Sequence, residues 1–236
     1  MNEFIWNGES SHAHGVIVVA YPPIQRAQER AETTIVPGRA GDLTLIEGQD
    51  VYDSYVKTMR IANKRGTDVQ EIIRWLSGSG WISFGNDPGW EYEVRMLNSV
   101  QLDKVFKGVW QGSIQMRTQP FRRKTNKGPD LQISASNTRI YNPGDVASKP
   151  VITVRGTGSV RLTIGGQSVG INLRGGTVVL DCAAGIATNE AGTESLDAYI
   201  TGTPPTIPKG ESRITWASVN NGSVSSVRIR PEWRWL

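Results

Sequence analysis

Apolar and polar residues alternate along two segments in the first half of the chain. In residues 90–96 every second side chain is apolar and those between are charged, which is the period of a half-buried β-strand. Residues 105–117 continue the alternation over a length that exceeds most globular strands, with Gly108 and Gly112 in phase with the apolar positions. We therefore expect two strands, the second with a polar face toward bulk water or an aqueous lumen. That polar face includes Lys107, Gln111, Gln115 and Arg117.

Residues 68–77 predict one helix between these strands. Val69, Ile72, Ile73 and Leu76 follow the i, i+3, i+4, i+7 spacing of a single apolar stripe. Asp68 followed by Glu71 suggests a capping box, and Gly78 stands where a helix commonly ends. We expect this helix to cover one face of a sheet.

A polar, turn-rich stretch then predicts a domain boundary. Residues 119–130 contain two prolines, a glycine and a cluster of basic side chains, with few residues to bury. We assign residues 1–122 to a first domain and 123–130 to a linker. The basic cluster, Arg122, Arg123, Lys124 and Lys127, is interpreted as solvated linker rather than as a phosphate-binding patch.

The second half shows short apolar segments separated by turns, without a helical period. This pattern predicts a β-sandwich or jelly roll over residues 131–226. The terminal segment 227–236 contains two tryptophans and is expected to dock, either on this sandwich or on the first domain, which it would complete. The expected strands are 150–155, 160–164, 169–173, 177–182, 198–201 and 213–219, and the expected hairpin turns are Gly165-Gly166, Gly175-Gly176 and Asn221-Gly222.

Composition agrees with a mainly β protein that does not depend on disulfides. The 236 residues include 26 glycines and 12 prolines, which favours many turns, and a single cysteine, Cys182, which is expected to be buried. The net charge of +4 is too small and too dispersed for a dedicated nucleic-acid binder. Since the N-terminal residues lack a basic region followed by a long apolar run, we expect synthesis in the cytoplasm without a signal peptide.

The search for catalytic motifs favours a non-enzymatic protein. The chain has no P-loop and no G-x-S-x-G elbow, and Gly156-Thr157-Gly158 lacks the third glycine of a dinucleotide-binding turn. The two histidines, His12 and His14, would share one face of a strand but have no companion ligands in the sequence. We expect no catalytic residues, no metal and no cofactor.

Trp216 with Asn220 is the one sequence feature that could contact a glycan. An aromatic ring beside an amide can stack on a sugar, although a strand tryptophan next to a turn gives the same pattern. The favoured interpretation is the strand and turn.

Several short motifs, in this order, resemble the distal tail proteins (Dit) of phages with long non-contractile tails. The segment 35–43, IVPGRAGDL, is similar to the I-P-G-R-x-G-x-L segment of that family and includes Pro37, Gly38, Arg39 and Gly41. Its glycines permit a tight loop from which Arg39 projects. The end of the chain is similar to the terminal P-R-W-R of the family, with Glu232 in place of an arginine. Other matching segments are 4–8, 15–19, 118–121, 148–152 and 210–214.

The resemblance implies a fold and a place in a virion. The first domain would be a β-barrel or sandwich with one helix, related to tail-tube subunits, and would form a homohexameric ring. The second would be a galectin-like β-sandwich outside the ring. The ring would belong to the baseplate at the tail tip and would join the tail-tube protein to the tail-associated hub protein. It would also anchor the receptor-binding apparatus, while DNA and the tape-measure protein pass through its lumen, with no membrane partner.

Two other functions remain open at this stage. A lectin-like second domain could attach the virion to host glycans, although that domain contains no histidine, which a galectin-type sugar site normally requires. A tail hydrolase is the third possibility and would be recognised by activity on cell-wall material.

Overall fold

A computed structural model describes residues 2–97, 100–174 and 176–236 and confirms the mainly β class. The chain forms two compact units, one reaching Asn126 and including Leu236, the other Lys127–Trp235. The first unit contains β1 (Phe4–Trp6), β2 (Glu9–Ser10), β3 (Val16–Ala20), β4 (Ala31–Thr34), β5 (Leu43–Ile46), β6 (Tyr55–Asn63), α1 (Val69–Trp75), β7 (Ser79–Phe84), β8 (Trp90–Met96), β9 (Gln101–Phe106) and β10 (Val109–Lys124). The second contains β11 (Leu131–Ile133), β12 (Thr138–Asn142), β13 (Val151–Ile164), β14 (Gln167–Asn172), β15 (Thr177–Asp181), β16 (Ile186–Thr188), a 3₁₀ turn (Asp197–Tyr199), β17 (Ile200–Thr201) and β18 (Gly210–Arg230).

The first unit is built on an antiparallel sheet of eight strands. Their order is β2-β1-β7-β8-β10-β6-β3, and β9 pairs with β10. One face of the sheet packs on α1, whose Ile72 is buried together with Leu76 at the end of the helix and with Phe4 and Trp6 of β1. The Trp6 indole N–H donates to the carbonyl of Trp75 at 3.1 Å, which fixes the end of the helix against the sheet.

The helix prediction is confirmed, with a simpler cap than the sequence suggested. The Asp68 carboxylate accepts a hydrogen bond from the backbone N–H of Gln70 at 2.9 Å. Gly78 has φ +79°, a left-handed conformation that glycine adopts without strain. Among the described residues no helix is long and apolar enough to span a membrane.

One of the two strand predictions in this unit is confirmed and the other is partly wrong. β8 spans the predicted residues 90–96, whereas residues 105–117 belong to two strands joined at Lys107 and Gly108. Gly108 has φ +81° and forms the turn. Because a two-residue turn leaves the alternation in phase, the periodicity could not reveal the hairpin. Phe106, expected on the apolar face, is 60% exposed.

Three of the four residues of the basic cluster belong to a strand rather than to a linker, and only Lys127 lies beyond it. Arg122 and Arg123 lie in β10, which ends at Lys124. The Arg122 guanidinium lies 3.1 Å from the Asp87 carboxylate, and that of Arg123 lies 2.8 Å from the Glu91 carboxylate. These partners, distant in sequence, hold side chains that local composition would leave in water.

The second unit is organised by the pairing of β13 with β18. The two strands pair from Val151 with Arg230 to Ile164 with Ile214. β15 pairs with the first part of β13 and β14 with the last part, while β11 and β12 pair with β18. The core between these strands is aliphatic, and it includes the buried Cys182, as expected. The predicted strands 150–155 and 160–164 are thus one continuous strand.

The glycine-containing turns of the second unit have different outcomes. Gly165 and Gly166, with φ +55° and +87°, connect β13 to β14 in the predicted two-residue hairpin. The hairpin predicted at Asn221-Gly222 is wrong, because both residues lie inside β18. Asn220 and Asn221 have φ +50° and +59° and form a bulge opposite Gly158. Gly175 lies outside the described residues.

The terminal segment belongs almost entirely to the second unit. Residues 227–230 form the end of β18, and the unit extends to Trp235. Val227 and Ile229 are buried in its core, and Trp233 packs against that core. Of the segment 227–236, only Leu236 groups with the first unit.

Lys57 is a buried cation in the first unit. Its side chain is 2% exposed, and its ammonium donates to the carbonyl of Pro23 at 2.8 Å. The ammonium also lies 4.9 Å from the Tyr92 ring centroid and 5.4 Å from that of Tyr55. Burial lowers the Lys57 pKa to about 8, an effect that Asp87 opposes.

We predict that Gly222→Ala destabilises the second unit severely. A Cβ at this position would lie 2.0 Å from the carbonyl oxygen of Ser159, a backbone atom that cannot move aside. The expected loss in the free energy of unfolding is about 2–4 kcal/mol, measured by urea denaturation. Gly170→Ala is the control, since its Cβ would meet Thr201 only at 3.4 Å. Equal effects of the two substitutions would contradict the described bulge.

We predict that Lys57 makes stability rise with pH between about 8 and 10.5. In this interval the unfolded lysine retains its proton and the folded one has lost it, so the unfolded state binds more protons and folding becomes more favourable. Relative to Lys57→Met, the free energy of unfolding should rise by about 1–3 kcal/mol over this range. Denaturant titrations at several pH values would measure the difference. A constant difference would show that the buried ammonium keeps an ordinary pKa.

Candidate interaction surfaces

A separate β-ribbon carries the motif loop of the first unit. β4 pairs only with β5, from Ala31 opposite Ile46 to Thr34 opposite Leu43. At its base the Arg30 guanidinium lies 2.7 Å from the Asp53 carboxylate. The apolar side chains on the ribbon are strongly exposed: Ile35 80%, Leu45 54% and Ile46 56%. Since an isolated two-stranded ribbon is marginally stable in water, this exposure requires an explanation.

The motif residues form the tip of this ribbon. Pro37, Gly38, Arg39 and Gly41 are all exposed, within the loop that connects β4 to β5. Gly38 has φ +82° and Gly41 has φ +78°, so both adopt the left-handed conformation that glycine allows in a tight loop. The backbone N–H of Arg39 donates to the carbonyl of Val36 at 3.1 Å. The loop therefore presents the Arg39 side chain to its surroundings.

Three of the four residues proposed to line a lumen share one face of β10. Gln111, Gln115 and Arg117 alternate with the buried Ile114 and with Met116, so their side chains occupy the other face of the sheet. Lys107 precedes the strand and lies in the turn after β9. The structure thus brings three of these residues together and leaves Lys107 at the end of the hairpin.

Strand register adds two arginines that sequence reasoning missed. Arg95 lies directly opposite Arg117, and Arg60 lies opposite Ser113, on the same exposed face. Like charges placed opposite each other on a sheet repel, which favours an anion or an ordered polar environment in front of them. The alternation in residues 90–96 predicted that Arg95 faces away from the core, but only the register shows which residue it faces.

A small pocket lies beside Arg123, whose guanidinium already has partners within the chain. It measures about 280 Å³ and is lined by Ile5, Asn7, Trp81 and Glu91 in addition to Arg123. The Arg123 guanidinium lies 3.3 Å from the centroid of the Trp81 ring while it pairs with Glu91. Its charge and its planar face are thus both occupied within the chain.

A larger groove lies on the exposed face of the second unit, with a volume of about 580 Å³. β13 and β14 form its floor, the 3₁₀ turn forms one wall, and the bulge in β18 closes one end. Asn220, one of the two residues proposed to contact a glycan, lines the groove. Arg161 and Tyr199 also line it, although no local motif distinguished them.

Trp216, the other proposed glycan contact, does not line the groove. Its side chain packs against the hydrophobic core of the second unit. Its backbone N–H donates to the Ser136 hydroxyl at 2.9 Å, and that hydroxyl donates to the Trp216 carbonyl at 3.2 Å. Because alternate strand residues face opposite sides of the sheet, Trp216 points away from its neighbour Ala217, which lies opposite Arg161. The structure therefore separates Trp216 from Asn220.

The two histidines and the cysteine, the side chains most often used in catalysis or metal binding, lie in surroundings that favour a structural role. His12 and His14 lie in a turn instead of on a strand face. The His14 Nε2 lies 2.8 Å from the Glu9 carboxylate, and its ring stacks on Trp75 with centroids 4.1 Å apart. Burial raises the pKa of the Cys182 thiol to about 12, which disfavours a reactive thiolate. Within the described ranges no cluster of three or more His, Cys, Asp or Glu side chains could hold a metal.

Comparison with known proteins identifies the fold. No family model matches the sequence, and no curated protein matches it. The crystal structure of the SPP1 Dit protein, described as a paradigm of the hub adsorption apparatus in Gram-positive infecting phages, superposes with a TM-score of 0.69. The identity is 12%, and the match covers 99% of each chain. The resemblance drawn from the short motifs is therefore confirmed at the level of structure, and the chain has the fold of the SPP1 Dit protein over its whole length.

Proposed function

We propose that this chain is a non-enzymatic structural component of a phage tail tip. In this role six copies form a ring between the tail tube and the hub, and the ring carries the receptor-binding apparatus. The observation that carries the proposal is the structural match over both units of the chain. A match confined to one sandwich would be weak support, since single β-sandwiches serve many functions. Here the order and the combination of the two units are shared.

The exposed ribbon supports assembly with a second copy of the chain. Ile35, Leu45 and Ile46 would be removed from water if the ribbon packed on a neighbouring subunit. A repeated contact between different surfaces of identical subunits closes into a ring when the rotation between them allows it. The open edge of the sheet at β3, where Val19 is 47% exposed, would also be protected by such a contact.

The polar sheet face supports an aqueous lumen. Gln111, Gln115 and Arg117 face away from the core, with Arg60 and Arg95 beside them. In a ring, this face would be repeated in every subunit and would surround the channel with amide and guanidinium groups. Such a surface stays hydrated and offers no apolar patch to which the tape-measure protein could adhere, while its arginines would attract the phosphates of passing DNA. The tube and hub proteins would then contact the two ends of the ring.

Substitution of the ribbon tests self-assembly. For the wild-type chain we expect a molar mass near six times 25.9 kDa, about 155 kDa, by light scattering on a sizing column at physiological salt. The variant Ile35→Glu/Leu45→Glu should elute as a single chain, because charges would be buried at the contact without a partner. The control, Ile186→Glu in the second unit, changes a residue that is 45% exposed and should retain the high mass. A wild-type mass of one chain, or an unchanged mass in the ribbon variant, would contradict this assembly.

Site-specific labelling tests the orientation of the sheet face. We predict that a gold cluster attached to Gln115→Cys appears inside the hole of the ring in electron micrographs, because Gln115 is on the polar face of β10. The same label on Ile186→Cys is the control and should appear outside the ring. The native Cys182 is buried and should not react. Density at the outer rim for the Gln115→Cys label would refute the lumen assignment.

A further inference from the structure

The groove of the second unit has a floor with one long side chain among short ones. Arg161 on β13 lies opposite Gly170 on β14 and opposite Ala217 on β18. Side chains directly across a strand pair lie about 5 Å apart, so these two positions determine the space beside the arginine. Since glycine and alanine are the smallest residues, they leave space beside the Arg161 side chain, which lines the groove.

Polar groups surround this arginine along the strands. Ser159 and Thr163 are its neighbours on the same face of β13, and Ser168 and Asn172 occupy the same face of β14. The hydroxyls of Thr163 and Ser168 lie 2.7 Å apart and pair with each other. The floor consequently offers hydroxyl and amide groups that can both donate and accept hydrogen bonds.

An aromatic residue forms the wall beside the 3₁₀ turn. The Tyr199 hydroxyl accepts a hydrogen bond from Arg174 at 2.8 Å, and the Arg174 guanidinium also lies 4.7 Å from the centroid of the ring. Both contacts hold the ring in place at the edge of the groove. A fixed aromatic ring next to hydroxyl and amide groups provides a surface for the C–H face of a sugar ring. Asn220, in its left-handed conformation at the bulge, closes the opposite side.

The positive charge of Arg161 favours an anionic ligand in the groove. Its lining contains no acidic side chain, and in the described part of the chain Arg161 makes neither an ion pair nor a side-chain hydrogen bond. Other exposed arginines of this unit are paired: Arg139 lies 3.3 Å from Glu211, and Arg155 forms an ion pair with Glu190. An arginine left without a partner can bind a carboxylate or a phosphate through two parallel hydrogen bonds.

We propose that this groove binds an acidic saccharide, a hydroxylated chain that bears carboxylate or phosphate groups. Arg161 would bind the anionic group, the hydroxyl and amide side chains would bind sugar hydroxyls, and Tyr199 would pack against a ring. A nucleic acid fits less well, because the lining contains a single basic residue and no series of stacking aromatics. The proposal is independent of ring formation, since all the residues involved belong to one unit of one chain.

Binding of defined oligosaccharides to the full-length chain tests the proposal. The probes are hexagalacturonate, which carries carboxylates, and mannopentaose 6-phosphate, which carries a phosphate, each titrated by calorimetry at physiological salt. We expect saturable binding of at least one of them, and the one that binds identifies the anionic group. Maltohexaose tests the need for charge, and polyglutamate of similar charge tests the need for a saccharide; both should bind at least about tenfold more weakly.

Three variants locate the binding. Arg161→Ala should weaken it about tenfold or more, because a charge-assisted pair of hydrogen bonds is lost. Ala217→Trp fills the space beside Arg161 and should cause a similar loss while it keeps every charge. Arg139→Ala removes an equally charged, exposed arginine outside the groove and should leave the affinity unchanged. All three sites are exposed, so the melting temperatures should stay close to that of the wild type.

The opposite results would overturn the proposal. The groove is not a saccharide site if the wild-type chain binds neither acidic probe, or if polyglutamate binds as well as they do. Equal affinities of Arg161→Ala and Arg139→Ala would show that binding, where it occurs, is general attraction to a basic surface. An unchanged affinity in Ala217→Trp would place the site elsewhere on the chain. None of these outcomes bears on the molar mass of the assembly, so the failure of either proposal is distinguishable from failure of the other.

Discussion

The pairing of β13 with β18 is the interaction on which the second unit depends. One ladder runs from Val151 to Ile164 and connects to every other strand of this sheet directly or through one neighbour. The bulge at Asn220 and Asn221 interrupts the ladder and marks the end of the groove. It is possible only because Gly158 and Gly222 let the two backbones approach each other closely. The same irregularity therefore shifts the register of the two strands and contributes Asn220 to the lining of the groove.

The first unit buries a charged side chain, Lys57, at a cost to its stability. Lys57 holds the carbonyl of Pro23 from inside the sheet, and the chain then leaves the sheet to form the ribbon. Burial of an ammonium is costly, and here the carbonyl and the aromatic rings around it offset part of that cost. A hydrophobic residue would avoid the cost but could not bind the carbonyl. The arrangement thus holds the chain at Pro23, eight residues before the ribbon begins at Ala31.

The exposed surfaces of the chain differ in chemistry, and this difference separates their roles. The ribbon exposes aliphatic side chains. Their free energy would be lowered by contact with another protein surface that excludes water. The face of β10 exposes amides and guanidinium groups, which remain compatible with water. The groove combines hydroxyls, amides, one aromatic ring and an arginine without a partner in the described residues, a set suited to a hydroxylated anion. The proposed assembly role and the proposed binding role are compatible in one chain, because they use different residues.

Local sequence patterns predicted the mainly β class, a helix at 68–77 that the structure places at 69–75, the strand at 90–96 and the hairpin at Gly165-Gly166. These features depend on the periodicity of apolar residues and on the backbone preferences of turn residues, both of which can be read from neighbouring positions in the chain. The order of short motifs also indicated the fold that the structural comparison shows. Long-range strand pairing made Asn220 and Asn221 a bulge instead of a hairpin turn, brought Arg122 and Arg123 to their carboxylate partners, and turned Trp216 toward the core. It also brought Arg161 between Gly170 and Ala217, because strand register joins residues far apart in the chain and no local pattern encodes that pairing.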